Sequence, residues 1–342
     1  LESGLAAAAN GGFTAVAVMP STNPPIDGKG DVEYLLNRAR QSGVQIIPIG
    51  ALSKGLKGES LAEMYDMFQA GARGFSDDKN SIKEAGLLHR ALLYNKHIGA
   101  RVMQFPYDNS LVPNGQMNEG KQSTLLGLKG IPAISEELII QRDLSILEHT
   151  QGMLHLGPIS TENAVKLIAA AKKKKQDVTC EVALANLVYT DETLHLFDSA
   201  FKVMPPLRTN RDQKMLIKGL KNGTIDVISS DHSPEDEEHK KLEFDFAEYG
   251  MASIENFFPL LWNALCEEIE LSDLVEKFSI NPRKVLNLPI PEIKEGALAN
   301  ITLFSDTETT FTGRENLKTK AYNVPDMGKE LRGMVVGSLY AG

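Results

Sequence analysis

Short apolar runs and amphipathic helices take turns along most of this chain, and that rhythm restricts the folds open to it. Phe13–Met19, Val44–Ile49, Ala72–Ser76, Gly99–Phe105, Met153–Leu156, Val178–Leu184 and Ile225–Ile228 are apolar or β-branched and too short for helices, so each reads as a buried strand. The spacing predicts helices over Leu1–Asn10, Asp31–Gln41, Leu61–Ala70, Lys83–Lys96, Pro132–Thr150, Thr161–Lys174, Arg211–Asn222 and Glu255–Cys266. Gly11-Gly12 ends the first helix, Asp31 caps the second and Pro132 opens the longest. Strands apolar on both faces and separated by helices form a parallel sheet with helices covering it. Seven strands are one fewer than a closed α/β barrel needs. The chain opens inside a helix, so the eighth strand is expected ahead of Leu1. After Pro282 the pattern changes to Ala299–Phe304 and Gly333–Leu339, short β segments around a long loop. The expected organisation is an α/β fold, a (β/α)8 barrel over 1–285 without its first strand. Part of a small β-sandwich appendage follows over 286–342.

The last of the seven strands ends in Ser229-Ser-Asp-His-Ser-Pro234, and Pro234 prevents it from continuing. An acid and an imidazole at the carboxyl end of a buried strand sit where α/β barrels place their chemistry. A carboxylate there can hold a metal, or take a proton from a metal-bound water. Alternatively, Asp231 caps the next element. A formal charge of −9 argues against nucleic acid or an anionic membrane as the main partner. Lys172–Lys175 reads as a solvated helix end, where cations complement the dipole. Cys180 and Cys266 have no ligand-like spacing, and no apolar run approaches about 20 residues. The expectation is a soluble cytoplasmic protein in a reducing compartment. Glu235–Lys241 is too charged for core, so Ser233–Tyr249 is expected as a polar excursion over the barrel mouth.

Ser3–Thr14, Met19-Pro-Ser-Thr-Asn-Pro-Pro25, Gly74-Phe-Ser-Asp-Asp78, Met117-Asn-Glu-Gly120, Gly130-Ile-Pro-Ala133, Pro205-Pro-Leu-Arg208 and Asp231-His-Ser-Pro234 follow one another along the chain. Taken together and in this order, these motifs resemble the bacterial-type dihydroorotases of the amidohydrolase superfamily. The resemblance implies a zinc-bearing (β/α)8 barrel that interconverts N-carbamoyl-L-aspartate and dihydroorotate in pyrimidine biosynthesis. Carried over residue by residue, it makes Asp231 the catalytic base and a metal ligand. Asp77 and Asp78 become further candidate ligands, and Ser21, Asn23, His232 and Arg208 candidate substrate contacts. A homodimer is the expected assembly.

The chain departs from the family where ligands belong. Gln104 and Pro158 stand at two positions where the family places metal-binding imidazoles. An amide is a poor zinc ligand beside imidazole, and proline offers no donor. Ser21 replaces an amide, Met204 replaces an asparagine and Lys79 replaces a glycine. His155 falls at a non-ligand position and reads as structural. An acid deprived of its metal needs another partner or a raised pKa, and Lys79 is the candidate for Asp231. The metal site is therefore expected to be weak or absent, with no zinc pair. Two readings remain: a dihydroorotase with an altered, mononuclear site built from Asp231 and the family's His-x-His, which would lie ahead of Leu1, or a non-catalytic homologue serving as structural partner of aspartate transcarbamoylase. Another cyclic amidase, of the hydantoinase or allantoinase kind, is a third.

Overall fold

The computed structural model describes residues 1–40 and 42–341. Seven strands form one parallel sheet in chain order: β1 (Ala15–Val18), β2 (Gln45–Ala51), β3 (Gly74–Ser76), β4 (Arg101–Gln104), β5 (Leu154–Leu156), β6 (Val178–Ala183) and β7 (Val227–Ser229). Every neighbouring pair is parallel, with Val102 opposite Leu154 and Val182 opposite Ile228. Val102, Leu154, Leu156 and Val182 are fully buried, as expected of strands covered on both faces. Each such side chain stabilises by about 1.5–3 kcal/mol through burial. Because the strands run one way, all their carboxyl ends lie on one rim, and the loops after β3 and β7 share it.

The predicted helices are present as α1 (Glu2–Asn10), α2 (Lys29–Ala39), α3 (Met64–Ala70), α4 (Ala85–Ile98), α5 (Ile134–Thr150), α6 (Glu162–Lys173), α7 (Asn210–Lys221) and α8 (Phe257–Leu265). The predicted end of the second, at Gln41, lies outside the described residues, as does Gly342. Asp31 is not the residue preceding α2. It sits in the first turn and accepts the Gly28 N–H at 3.0 Å, which lets the helix start two residues earlier. Lys172 is not merely a solvated helix end. Its Nζ lies 2.7 and 2.8 Å from the two carboxylate oxygens of Asp226, which also accepts the Cys180 N–H. The stretch before Gly130 contains a short helix, Lys121–Leu126, and a two-residue parallel pair, Met117–Asn118 with Gly130–Ile131.

Helix α8 is apolar almost all round, and such a helix must be covered on several sides. The short helix Leu184–Val188 and the rings of Phe13 and Phe278 take part of it. An antiparallel ribbon, β8 (Asn300–Phe311) and β9 (Glu330–Tyr340), covers the rest. Trp262 donates to the Asp306 carbonyl at 3.0 Å, and the rings of Phe258 and Phe304 are 4.5 Å apart. Both ribbon strands are longer than the segments predicted, with register shifts after Leu303 and Ser305.

The Ser233–Tyr249 excursion keeps most of its charges exposed but is pinned from within. Lys240, 4% exposed, donates to the carbonyls of Glu248 and Gly250 at 2.7 and 3.2 Å. Lys202, equally buried, holds the carbonyls of Phe244 and Asp245. Apolar stems and backbone acceptors admit these ammoniums where composition predicted only solvent-facing residues.

Candidate functional site

Three loops on the shared rim supply the predicted site residues. After β3 the chain turns sharply, and Asp78 adopts a left-handed φ of 52°. Asp77 points inward at 2% exposure: one oxygen accepts the N–H groups of Leu52 and Ser53 at 3.0 and 2.8 Å, the other the Ser53 hydroxyl. Burial raises its carboxyl above the usual range, opposed by those bonds. Asp77 is thereby turned into the sheet and committed to β2. Asp78 accepts the Ser21 hydroxyl, which joins the first loop to the second; Asn23 is exposed on that same first loop.

After β7, Asp231 also takes a left-handed φ, 46°, which aims its carboxylate across the rim. The Lys79 Nζ sits 2.8 Å from Asp231 Oδ1 and 2.8 Å from the Met204 carbonyl. It also lies over the Phe105 ring, 5.0 Å from its centroid. Burial raises the Asp231 carboxyl, Lys79 opposes that shift, and the nearby Glu181 and Asp78 add to it. His232 accepts the Ile254 N–H on Nδ1 at 3.3 Å, which leaves its proton on Nε2. Burial lowers its pKa to about 4, so the ring is neutral at pH 7.

Gln104 and Pro158 are both buried in the sheet rim. The Gln104 amide bonds the backbone of Ile82, accepting its N–H at 3.2 Å and donating to its carbonyl at 3.3 Å. It is thus spent on the chain. His155 pairs with Thr179 at 2.9 Å on Nδ1 and lies 3.5 Å from Glu181 on Nε2. Arg208 is 3% exposed, and its donors go to Ser160, Asn118 and the Ile131 carbonyl. Its counter-ion is Glu136, 4.0 Å away and itself held by Ser160 and Thr161. The structure therefore unites Asp231, Lys79, Asp78 and Ser21, and places Arg208 in a separate buried network.

Glu181 was missed by sequence reasoning. It faces His155 from the middle of β6 and acts on Asp231. The available signal was a carboxylate inside an otherwise apolar run, a position charged residues rarely take without a partner.

Lys79, Asp77, Phe105, Tyr107, Met204 and Tyr249 line one cavity of ≈ 630 Å³. Three of its lining residues are aromatic, and one of them, Tyr249, donates to the carbonyl of Gly115, which also lines it. The residues do not fit the zinc pair that the motifs imply. Asp231 is paired with the Lys79 ammonium, Asp77 is bonded to the backbone and hydroxyl after β2, and the Gln104 amide is taken up by Ile82. Among the described residues, no three His, Cys, Asp or Glu side chains lie close enough together to hold an ion.

A parallel α/β barrel with acids on its carboxyl rim is the architecture of the amidohydrolases, and the Amidohydrolase family model matches residues 133–338. An L-hydantoinase (dihydropyrimidinase) from Arthrobacter aurescens shares this fold, with a TM-score of 0.86 at 22% identity over 98% of this chain and 78% of its own. A D-hydantoinase from Thermus sp. does so with a TM-score of 0.80 at 20% identity, over 99% and 78%. The Dihydro-orotase-like model matches residues 1–164. A dihydroorotase from Acetivibrio thermocellus is 41% identical over 100% of this chain and 81% of its own length. One from Thermoanaerobacter sp. is 40% identical over 98% and 78%. The chain belongs to the dihydroorotase family.

Proposed function

We propose that this chain is a dihydroorotase-family protein of pyrimidine biosynthesis whose site no longer supports metal-dependent amide chemistry. The observation that carries the reading is the ion pair between Lys79 and Asp231. In the family Asp231 corresponds to the ligand and general base. Here its charge is met by Lys79, which opposes the rise that burial gives its carboxyl, so the acid is committed to an internal ion pair. In the family a metal lowers the pKa of the attacking water to about 7, and among the described residues no cluster of three His, Cys, Asp or Glu side chains could hold one. What remains is a rigid barrel with a cavity and outer surfaces, and the resemblance names aspartate transcarbamoylase as the partner such a homologue supports, as a homodimer in the cytoplasm.

One observation favours the second reading, an active enzyme with an unusual ligand set: the 41% identity to a dihydroorotase along the whole chain. Metal analysis and dihydroorotate hydrolysis on the same purified sample separate the two. The expected result is less than one zinc per subunit, no hydrolysis with added zinc, and co-elution with aspartate transcarbamoylase. Two zinc ions per subunit, together with hydrolysis lost in Asp231→Ala, would establish the enzyme instead.

A further inference from the structure

We propose that the exposed face shared by Leu196–Lys202 and Lys240–Glu248 is a docking surface for a basic, amphipathic segment of another protein. It lies on the solvent side of the excursion and does not depend on what the rim residues do. The two segments are packed on one another. The Ser199 hydroxyl donates to the Lys240 carbonyl, the rings of Phe197 and Phe244 are 6.3 Å apart, and Lys202 holds the carbonyls of Phe244 and Asp245. Together they expose Leu196 at 74%, Phe197 at 46%, Leu242 at 45% and Phe246 at 73%. One exposed leucine needs no explanation; four large apolar side chains on two joined and otherwise charged segments do. Phe197 also holds a left-handed φ of 54°, which bulky residues rarely adopt. Because the buried Lys202 and Lys240 pin these turns from within, a partner would have little backbone left to order.

Charge selects the occupant. Glu192, Asp198, Glu238, Glu243, Asp245 and Glu248 are exposed in or beside the same segments, and none has an ion-pair partner among the described residues. The lysines there are already spent, Lys202 and Lys240 on carbonyls inside the loop and Lys241 on Glu237. His239 is held by Asp236, and His195 by the Glu192 carbonyl. The face therefore presents apolar anchors within unmatched negative charge. Nucleic acid and anionic lipid are repelled by it, and so is the same face of a second copy. Apolar side chains set among Lys and Arg are its complement, and a basic amphipathic helix offers them on one side.

Fluorescence anisotropy with labelled peptides tests this. The probe is a leucine–lysine peptide with its leucines on one face of a helix. Beside it are a leucine–glutamate peptide with the same leucines and a serine–lysine peptide with the same charge. The leucine–lysine peptide is expected to bind, less tightly as salt rises, and the other two at least about tenfold more weakly. Phe246→Ser is expected to weaken the leucine–lysine peptide by about tenfold, through loss of an aromatic anchor. Glu243→Lys/Asp245→Lys should weaken it too and flatten the salt dependence. Tyr34→Ser, which removes a ring 68% exposed on α2, should leave it unchanged. All of these side chains are exposed, and far-UV circular dichroism checks that each variant is folded. No binding of the leucine–lysine peptide, equal binding of the serine–lysine peptide, or indifference to Phe246→Ser would overturn the proposal. Self-association lost in Phe246→Ser would give the face to a second copy. Binding to phosphatidylserine vesicles lost in that variant would give it to a membrane, and either result overturns the proposal as well.

Discussion

Asp143 shows how far the substitutions at the rim reach into the barrel wall. Its side chain is wholly buried on α5, with Arg142 Nε and Nη2 both 2.7 Å from Oδ1. Oδ2 has no hydrogen-bond partner; the Gln104 amide lies near enough to favour the charge without closing a bond of normal geometry. Burial outweighs both neighbours and raises the pKa to about 7. In the unfolded chain the group titrates near its ordinary value, so between about pH 4 and 7 the folded state holds more protons. Its contribution to stability therefore falls as pH rises through that window. Asp143→Asn removes the titration. Denaturant unfolding is expected to show the variant gaining on the parent protein between pH 5 and pH 8, by a few kcal/mol at most at about 1.4 kcal/mol per unit. A gap that stays constant between those pH values rules the account out. Part of this scale was legible in the sequence. The Lys79–Asp231 contact follows from an acid that needs a partner and a lysine replacing the family's glycine. The partners of Glu181 and the Gln104–Ile82 bonds were not legible, because both depend on which side of a strand faces a neighbour distant in sequence.

The elements themselves were almost all readable, since apolar periodicity and breakers act within a few residues. What escaped were places where a charged side chain turns inward. Lys172 satisfies Asp226 beneath β7, and Lys240 pins the Ser233–Tyr249 excursion. Lys240 faces Glu235, Asp198, Glu248 and the like-charged Lys202, and burial is the largest influence, lowering its pKa to about 8. Between about pH 8 and 10.5 the unfolded chain keeps the proton and the folded chain does not, so stability contributed by this group rises with pH. Lys240→Met leaves the Glu248 and Gly250 carbonyls without this donor, costing about 1–3 kcal/mol. Paired unfolding curves should show the parent's advantage over Lys240→Met widening from pH 8 to pH 10. A shrinking advantage contradicts the assignment. The loop is thus a packed wall for the cavity edge where Tyr249 meets Gly115, and its charged exterior conceals that role in the sequence.

At the scale of the whole molecule, the question is whether barrel and ribbon form one cooperative unit. The seam between them is tight because glycines let it be. Gly12, readable in sequence as a helix end, has φ 83°, and a Cβ there would lie 2.8 Å from Thr302 and 2.9 Å from Val335, both on the ribbon. That second role was invisible, since both partners lie some three hundred residues along the chain. Gly333 on β9 has φ 101°, and a Cβ would come within 3.1 Å of the Phe258 ring and 3.4 Å of Trp262. Gly333→Ala therefore meets both backbone strain and overpacking, about 1–3 kcal/mol in sum. Gly337 has nothing within 4 Å of its Cβ position, so Gly337→Ala is the neutral control on the same strand. Trp262 is the single tryptophan of the chain and sits in this seam, so its fluorescence reports ribbon docking while far-UV circular dichroism reports the helices. With α8 apolar on nearly every side, the ribbon cannot leave without exposing Phe258 and Trp262, which ties its loss to loss of the barrel. Both signals are accordingly expected to share one midpoint in the parent protein and to move together to lower denaturant in Gly333→Ala. A fluorescence change that precedes the loss of helix would instead make the ribbon a separately folding unit.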